Sequence, residues 1–436
     1  MIEPRTLPGF MELLPEDQIK FNSMIDKIRK SYEKFGFLPI DTPIIEMSDV
    51  LLAKAGGETE KQIYRFNKGE NDLALRFDLT VPLAKYVCEY FNDITFPFKR
   101  YQIGKVYRGE RPQKGRYREF YQCDIDIIGD GSLSIINDAE MPSVIYTTIK
   151  ELGFDKFTIR INNRKLLNGL FAELELTEKS TDIMRIIDKL EKIGKENVIK
   201  CLQDLDVPNE KIESIIKFIE IDGNNDEKIK ALEELQFSNE TFIQGLNDIK
   251  DVVKYVRFFG VPESNFKVDL TIARGLDYYT GTVYETFLDD YREIGSVCSG
   301  GRYDNLAEFY TDRKLPGVGV SIGLTRLFYK LNELNIVKEE EQSISKVLVV
   351  SMDEKYQNRA LEVADSLRKA GINTDVYLED KKIKAKFKYA DKLKIPYVAV
   401  IGENEEEHGT VSLKNMVSGE QEELTVEGVI AKIKKF

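Results

Sequence analysis

The sequence predicts an α+β domain with a helical insertion, followed by a C-terminal α/β domain. Residues 1–160 mix helical and strand patterns, and residues from about 162 to 258 are amphipathic and helical. From residue 346 onward, strand and helix patterns alternate. We therefore predict domains at residues 1–335 and 346–436, joined by a charged and polar linker at 336–345.

In the first domain, apolar residues three or four apart predict a helix over residues 18–35, which Gly36 ends. Strand patterns follow at residues 98–108 and 120–128. The turn between them is rich in Arg, Lys and Gly, so we predict a long hairpin. Strand patterns return in residues 266–335 after the helical insertion.

In the second domain, the segments KVLVVSM, TDVYL, YVAVIGEN and GTVSLKN have the pattern of strands. Helical patterns follow the first two segments, and a final helix ends the chain. Such alternation is typical of a compact α/β domain.

The composition excludes several kinds of chemistry. Only one histidine, His408, is present, so a Ser-His-Asp triad or a multi-histidine metal site would depend on it alone. The four cysteines form no CxxC pair, which argues against a zinc site and a disulfide framework. No apolar run is long enough for a membrane span, and no signal-peptide pattern begins the chain, so we expect a cytoplasmic protein. Catalysis then rests on Arg, Lys, carboxylates, backbone amides or a phosphate-bound metal.

Residues 99–129 hold the most informative group of polar side chains. Because side chains in a strand alternate between faces, Arg108 and Glu110 are expected on one face of the first strand. The same rule places Gln122, Asp124 and Asp126 together on the second strand. The turn adds Arg111, Gln113, Lys114, Arg116 and Arg118. This patch suits phosphates or RNA, and a solvated hairpin with a charged tip is the alternative.

Three further stretches carry candidate residues. ARGLDYYTGTVYE, residues 273–285, suggests either a pocket wall that recognises a polar ring or half-buried packing tyrosines. GVGVSIGLTRL, residues 317–327, suggests either a plain buried strand or one whose glycines admit a flat ligand, with Arg326 stacked on it. Residues 380–394 hold seven lysines beside an apolar stripe, which indicates either a phosphate-facing helix or a solvated one.

Five segments together carry a resemblance to the class II aminoacyl-tRNA synthetases, and specifically to the histidyl enzymes. GFLPIDTPIIE resembles motif 1, the segment from Phe98 to Gly129 resembles motif 2, and GVGVSIGLTRL resembles motif 3. RGLDYYTG and GGRYD are similar to two signatures of histidyl enzymes. The resemblance runs through essentially the whole chain.

This resemblance implies a fold, an assembly and a reaction. The fold is an antiparallel six-stranded catalytic sheet with flanking helices and a C-terminal anticodon-binding domain, and the assembly is a homodimer formed partly by motif 1. In the reaction, histidine and ATP, with Mg²⁺, give histidyl-adenylate and pyrophosphate. The histidyl group then passes to the 3′ end of histidine tRNA.

The resemblance also implies roles for single residues. Arg108 and Arg274 are the expected catalytic residues. The residues expected to bind ATP are Arg108, Glu110, Arg116, Phe120 and Arg326. Those expected to bind histidine are Asp78, Thr80, Gln122, Asp126, Arg274, Tyr278 and Tyr279. No residues are expected to hold a metal ion by themselves.

Two positions depart from the family pattern. Thr325 stands where a glutamate often precedes the motif 3 arginine, which puts metal binding at that corner in doubt. Asp78 stands where glutamate is frequent. Two other functions are the alternatives. A synthetase-like regulatory subunit of histidine biosynthesis without aminoacylation activity is disfavoured because this chain keeps both RGLDYYTG and a C-terminal domain. An RNA-binding or kinase-associated pseudo-synthetase domain is disfavoured by the intact Arg108, Arg274 and Arg326.

Overall fold

The computed structural model describes residues 1–53, 60–111, 115–272, 279–305, 307–336 and 343–435. Within it the chain divides into two compact units. The first comprises Met1–Glu12 and Met24–Ile336, and the second comprises Leu13–Ser23 and Val337–Phe436. Most of the predicted linker lies outside the described residues, so the domain boundaries stay a prediction.

The strands are numbered in chain order. They are β1 (Leu38–Pro39), β2 (Ile45–Met47), β3 (Arg65–Lys68), β4 (Asn71–Leu75), β5 (Phe98–Tyr107), β6 (Glu119–Ile128), β7 (Phe157–Asn163), β8 (Phe266–Val268), β9 (Thr282–Leu288), β10 (Cys298–Tyr303), β11 (Gly317–Gly323), β12 (Val347–Ser351), β13 (Thr374–Val376), β14 (Tyr397–Ile401), β15 (Val411–Asn415) and β16 (Gln421–Leu424).

The α-helices are numbered in the same way. They are α1 (Pro15–Lys34), α2 (Ser48–Leu52), α3 (Thr80–Glu89), α4 (Ile136–Glu151), α5 (Arg164–Glu173), α6 (Ser180–Ile187), α7 (Leu190–Ile193), α8 (Lys195–Asp204), α9 (Asn209–Ile219), α10 (Asn225–Glu234), α11 (Glu240–Phe258), α12 (Leu324–Glu333), α13 (Gln357–Lys369), α14 (Ile383–Lys392), α15 (Glu403–His408) and α16 (Val426–Lys434).

An eight-stranded sheet forms the centre of the first unit, in the order β1-β5-β6-β11-β10-β9-β7-β8. Its six central strands are antiparallel to their neighbours, and a short parallel strand, β1 or β8, is added at each edge. The predicted fold class is therefore confirmed, with two edge strands more than the six that were implied.

The predicted hairpin is formed by β5 and β6, which pair from Phe98 opposite Ile128 to Tyr107 opposite Glu119. The first strand ends at Tyr107, one residue earlier than predicted. Arg108 and Glu110 therefore lie in the connection beyond the strand, and the prediction that they share a strand face is wrong. A backbone hydrogen bond from Arg108 N–H to the Arg118 carbonyl, 2.9 Å long, closes the base of this connection.

Helices α5 to α11 form the predicted insertion between β7 and β8. In α5, Leu170 follows the adjacent Leu166 and Leu167 by four and three residues, and all three are buried. Gly169 on α5 faces α11 so closely that a Cβ atom there would overlap Phe242. Gly245 on α11 likewise approaches Lys165 and Leu166 of α5 closely, so apolar periodicity and a glycine on each helix permit this packing.

The second unit has a five-stranded mixed sheet in the order β13-β12-β14-β15-β16. Val347 and Val349 of β12 pack in the cluster that contains α13 and α16, and Leu348 and Val350 pack in the cluster that contains α14. Both faces of this strand are covered, which explains its unbroken apolar run. Helix α15 and strand β16 were not predicted, because the segments ENEEEH and QEEL have almost no apolar residues.

A small sheet in the order β2-β4-β3 was also not predicted. Its strands have three to five residues, so their apolar alternation is too short to recognise in the sequence. Within the described part of the chain, no helix is long and apolar enough to cross a membrane.

Candidate active site

A cavity of about 440 Å³ lies above the central sheet of the first unit. Its walls come from β6, β9, β10 and β11, from the start of α12, and from the segments after β4 and β5. The structure brings ten of the predicted site residues together in its lining: Asp78, Thr80, Arg108, Glu110, Arg116, Phe120, Gln122, Asp126, Tyr279 and Arg326. Arg274 and Tyr278 lie outside the described residues.

Alternate residues of β6, namely Gln122, Asp124 and Asp126, face the cavity as the period of a strand requires. On the neighbouring strand β11, Ser321 lies opposite Asp124 and Gly319 lies opposite Asp126. The cavity-facing residues of these two strands form the floor of the cavity.

The three glycines of β11 differ in what they accommodate. A Cβ atom at Gly319 would overlap the carboxylate of Asp126, and one at Gly317 would overlap the ring of Tyr303. Above Gly323, which lines the cavity, there is open space. The idea that these glycines admit a flat ligand therefore suits Gly323 alone, because the other two make room for protein side chains.

A buried ion pair stabilises one end of the floor. Arg100 and Asp126 approach to 2.6 Å, with their side chains 0% and 4% exposed. The Tyr303 hydroxyl donates a 2.7 Å hydrogen bond to Asp126 Oδ1, and Arg100 also donates to the Leu79 carbonyl. Arg100 was not predicted as part of the site, although it lies opposite Asp126 once the hairpin register is known.

Burial is the largest influence on the pKa values of the carboxyl groups in this floor. It raises the pKa of Asp124 to about 7 and that of Asp126 to about 6, although Arg100 opposes both shifts. Burial also raises the pKa of Asp78, against hydrogen bonds from the Val81 and Thr80 backbone and the charge of Arg108. An added positive charge in the cavity would therefore favour the ionised carboxylates.

Asp78 and Thr80 lie where the segment after β4 enters α3. Asp78 Oδ1 accepts a 3.1 Å hydrogen bond from the Val81 N–H, so the carboxylate caps the first turn of the helix. The cap fixes Asp78 at the cavity wall.

Arginine and aromatic side chains form the other end of the cavity. Arg108 Nε donates a 3.0 Å hydrogen bond to the Phe77 carbonyl, and the guanidinium carbon lies 5.2 Å from the centre of the Phe120 ring. Arg116 is half exposed and lies 3.7 Å from the carboxylate of Glu110. Arg326 Nη2 donates a 2.8 Å hydrogen bond to the Ile294 carbonyl. Three arginines thus line this end of the cavity, which is the charge that a phosphorylated ligand requires.

Thr325 has a structural role. Its buried hydroxyl accepts a 2.8 Å hydrogen bond from the Tyr121 N–H, which ties the start of α12 to β6. Among the described residues, no group of three or more His, Cys, Asp and Glu side chains is arranged to hold a metal ion.

Several cavity residues received no role from the sequence. Asp124 was placed on the correct strand face, but its function was not assigned, and Ser321 and Glu285 were not singled out. Their position follows from the pairing of β6, β11, β10 and β9, which strand alternation alone does not fix.

Comparison with known proteins assigns the family. The family model described as histidyl-tRNA synthetase matches residues 9–327, and the one described as anticodon binding domain matches residues 346–436. The histidine–tRNA ligase of Clostridium tetani is 61% identical over 100% of this chain and 99% of its own length. The chain belongs to the histidyl-tRNA synthetase family. The predicted resemblance and the predicted class of enzyme, an aminoacyl-tRNA ligase, are thereby confirmed.

Solved structures of histidyl-tRNA synthetases agree with the fold. That of the Nostoc sp. PCC 7120 histidyl-tRNA synthetase superposes with a TM-score of 0.93 at 40% identity, and all of both chains is covered. A Bacillus halodurans protein described as an ATP phosphoribosyltransferase regulatory subunit/histidyl-tRNA synthetase has a TM-score of 0.75, with 91% of this chain and 97% of its own chain covered. Its identity is 20%, so that likeness shows the fold alone.

Proposed function

We propose that this chain is a histidine–tRNA ligase that works in two steps. It first joins histidine to the α-phosphate of ATP, giving histidyl-adenylate and pyrophosphate. It then transfers the histidyl group to the 3′ end of histidine tRNA. Its membership of the histidyl-tRNA synthetase family over residues 9–327 and the composition of the cavity support this proposal.

One observation carries the proposal: a single cavity has a cationic, aromatic end and a carboxylate-rich end. Phe120 and Asp126 mark the two ends along β6 and are separated by about 20 Å at the usual rise per residue of a strand. We assign the nucleotide to the end with Arg108, Phe120 and Arg326, and histidine to the end with Asp78, Gln122 and Asp126. Thr80 and Tyr279 complete the amino acid site, and Glu110 and Arg116 complete the nucleotide site.

The first step needs positioning and charge stabilisation rather than a proton relay. An oxygen of the histidine carboxylate attacks the α-phosphorus while the bond to pyrophosphate breaks. Negative charge on the α-phosphate oxygens is stabilised by Arg108, whose guanidinium the Phe77 carbonyl helps to orient. Arg274 remains a proposed second stabiliser from the sequence. ATP enters with its Mg²⁺ as part of the substrate.

Buried polar groups support selection of a polar amino acid. A site built to hydrogen-bond a polar substrate rejects analogues that lack the polar group, because its own buried groups are then unpaired. Asp78, Asp126 and Tyr279 line the cavity and would supply such polar groups to histidine, and Tyr278 is assigned to the same role from the sequence alone.

Exposed lysines in the second unit are a reason to propose that it binds tRNA. In the lysine-rich segment, Lys381, Lys382, Lys384, Lys388, Lys392 and Lys394 are exposed. Lys386 is buried, and its Nζ donates a 2.8 Å hydrogen bond to the Ser351 carbonyl. We therefore assign the phosphate-facing role to the six exposed lysines and a structural role to Lys386.

Exposed apolar side chains support a homodimer through the motif 1 region. Leu38, Ile44, Ile45 and Met47, together with Phe66 of the small sheet, are all about 40% exposed or more. Clustered exposed apolar residues are typical of protein interfaces.

A cytoplasmic location is proposed with this function, because charged tRNA is used at the ribosome.

Aminoacylation tests the function. The purified chain, with ATP, Mg²⁺, labelled histidine and unfractionated tRNA, should form acid-precipitable histidyl-tRNA. A regulatory subunit of histidine biosynthesis, the less supported function, would bind histidine and form none. The absence of any histidyl-tRNA from folded, histidine-binding protein would therefore overturn the proposal.

A further inference from the structure

Arg118 lies at the base of the connection between β5 and β6, where it holds the main chain of two residues of the proposed nucleotide site. Its carbonyl accepts a 2.9 Å hydrogen bond from the Arg108 N–H, and its side-chain Nε donates a 2.9 Å hydrogen bond to the Glu110 carbonyl. Arg108 and Glu110 both line the cavity, whereas Arg118 is not among the described residues that line it. These contacts suit a residue that places its neighbours rather than one that touches the ligand.

A turn at residues 7–10, which precedes α1, also holds Arg118. A 3.0 Å hydrogen bond from the N–H of its last residue to the carbonyl of its first closes the turn. The Gly9 carbonyl accepts a 2.7 Å hydrogen bond from the Arg118 N–H, and the Pro8 carbonyl lies 3.4 Å from Arg118 Nη1. The turn is therefore bonded to both the main chain and the side chain of Arg118.

Gly9 leaves no room for a side chain beside Arg118. Its φ is +87°, in the left-handed region that favours glycine. A Cβ atom there would lie 2.9 Å from Arg118 Cγ and 3.0 Å from Arg118 Cδ. These atoms belong to the stem of a side chain whose Nε is already bonded, so a larger residue at position 9 would displace Arg118 or the turn.

The sequence pattern also allowed Arg118 to belong to a patch that binds phosphates or RNA. In the structure, however, its Nε and Nη1 both donate to main-chain carbonyls. Arg116, two residues earlier, is half exposed and lines the cavity. The two arginines of this short segment thus differ in position, and only Arg116 lies where it can meet the nucleotide.

We propose that Arg118, held by Gly9, is a positioning residue for the nucleotide site, which fixes the main chain at Arg108 and Glu110. The inference rests on the proposed histidine ligase function and adds to it a residue that does not contact ATP or histidine. Arg108 is assigned to the α-phosphate, so a shift of its main chain moves the group that stabilises the transition state. A misplacement of about 1 Å can lower a rate about 100-fold.

Arg118→Lys separates position from charge, because lysine keeps the positive charge but has a methylene group where Nε donates. The kcat of histidine-dependent pyrophosphate exchange should fall about 10- to 100-fold. The KM for histidine should change by less than about 3-fold, because the amino acid is assigned to the other end of the cavity. Exchange at the wild-type rate would overturn the proposal, since a positive charge alone would then suffice.

Gly9→Ala tests whether the turn acts through Arg118. In the wild-type background this substitution should lower kcat about 10-fold, because the added Cβ atom displaces the arginine stem. Arg118→Ala lacks the Cγ and Cδ atoms that the new side chain would overlap. Adding Gly9→Ala to that variant should therefore lower kcat by less than about 2-fold further. Equal factors in the two backgrounds would overturn the coupling between the turn and Arg118.

Gly153→Ala is the matched control for backbone strain. Gly153 also has a positive φ, +94°, and a Cβ atom there would have no neighbour within 4 Å. The variant carries similar strain without displacing a neighbouring side chain, so its kcat should stay at the wild-type value. A fall in kcat as large as that of Gly9→Ala would overturn the specific role of the turn.

The outcomes separate this inference from the proposed function and from a contact with tRNA. Wild-type protein without histidine-dependent exchange would overturn the function itself. Normal exchange with weaker tRNA charging by Arg118→Lys would overturn the positioning role and assign Arg118 to tRNA, because exchange needs no tRNA. Calorimetry with histidine reports the folding of each variant. Loss of histidine affinity as large as the loss of kcat would indicate a general change of the cavity and would also overturn the proposal.

Discussion

Arg100 and Asp126 form a 2.6 Å ion pair in the floor of the cavity, and neither side chain is more than 4% exposed. Removing one partner of a buried pair leaves the other charge uncompensated. Arg100→Met should therefore lower the free energy of unfolding of the first unit by about 3–5 kcal/mol, measured by urea denaturation followed by circular dichroism.

The neighbouring residue on β5 supplies the control. Lys99 pairs with Glu140 at 2.6 Å, but it is 28% exposed. Because solvent screens such a pair, Lys99→Met should cost no more than about 1 kcal/mol. Equal stability of the two variants would show that the buried pair does not hold the floor together.

Thr325→Val tests the connection between α12 and β6. The substitution keeps the shape of the side chain and leaves the Tyr121 N–H without its acceptor. The free energy of unfolding should fall by about 1–3 kcal/mol. Thr325→Ser keeps the hydroxyl and should retain most of the stability, so a loss as large as that of the valine variant would point to packing of the methyl group instead.

Asp124 should make stability depend on pH. Burial raises the pKa of Asp124 from its ordinary value of 3.8 to about 7, so the folded state holds a proton that the unfolded state releases. Stability from this group is therefore fully present below pH 4 and is lost as the pH rises towards 7.

Thermal midpoints at pH 5 and pH 8, without ligand, measure this dependence in the wild type and in Asp124→Asn. Arg100, Asp126, Asp78 and the Ser321 hydroxyl surround the group and remain in both proteins. The wild type should lose more stability than the variant between the two pH values. A variant with the same or a larger loss would contradict the raised pKa.

Much of the site could be predicted from the sequence because strand alternation and motif order fix which residues share a face. Gln122, Asp124 and Asp126 faced the cavity as expected. The position of Arg100 could not be predicted, because it depends on the register of β5 against β6. Lys386 was misjudged because a charged residue within a lysine run gives no sign that its amine reaches a buried carbonyl.

The exposed lysines of α14 should act in tRNA charging but not in adenylate formation. Lys384, Lys388 and Lys392 are four residues apart and share one helix face. Changing all three to glutamate should raise the KM for tRNA at least about 10-fold, more strongly at low salt, because phosphate contacts are lost and repulsion is added. Histidine-dependent pyrophosphate exchange should be unaffected.

A control with the same charge change uses Lys355, Lys369 and Lys434, which are exposed elsewhere in the second unit. The KM of this control variant for tRNA should rise much less than that of the α14 variant. If both triple variants charge tRNA equally well, the lysine face of α14 is ordinary solvated surface.

Pyrophosphate exchange, measured with each amino acid in turn, shows whether the cavity activates histidine, because it follows adenylate formation without tRNA. With ATP and Mg²⁺, we expect rapid exchange with histidine and rates lower by about 10⁴-fold or more with phenylalanine or glutamine, which lack the imidazole ring. Comparable exchange with another amino acid, or no exchange with histidine by folded protein, would contradict the assignment of this chain as a histidine-specific ligase.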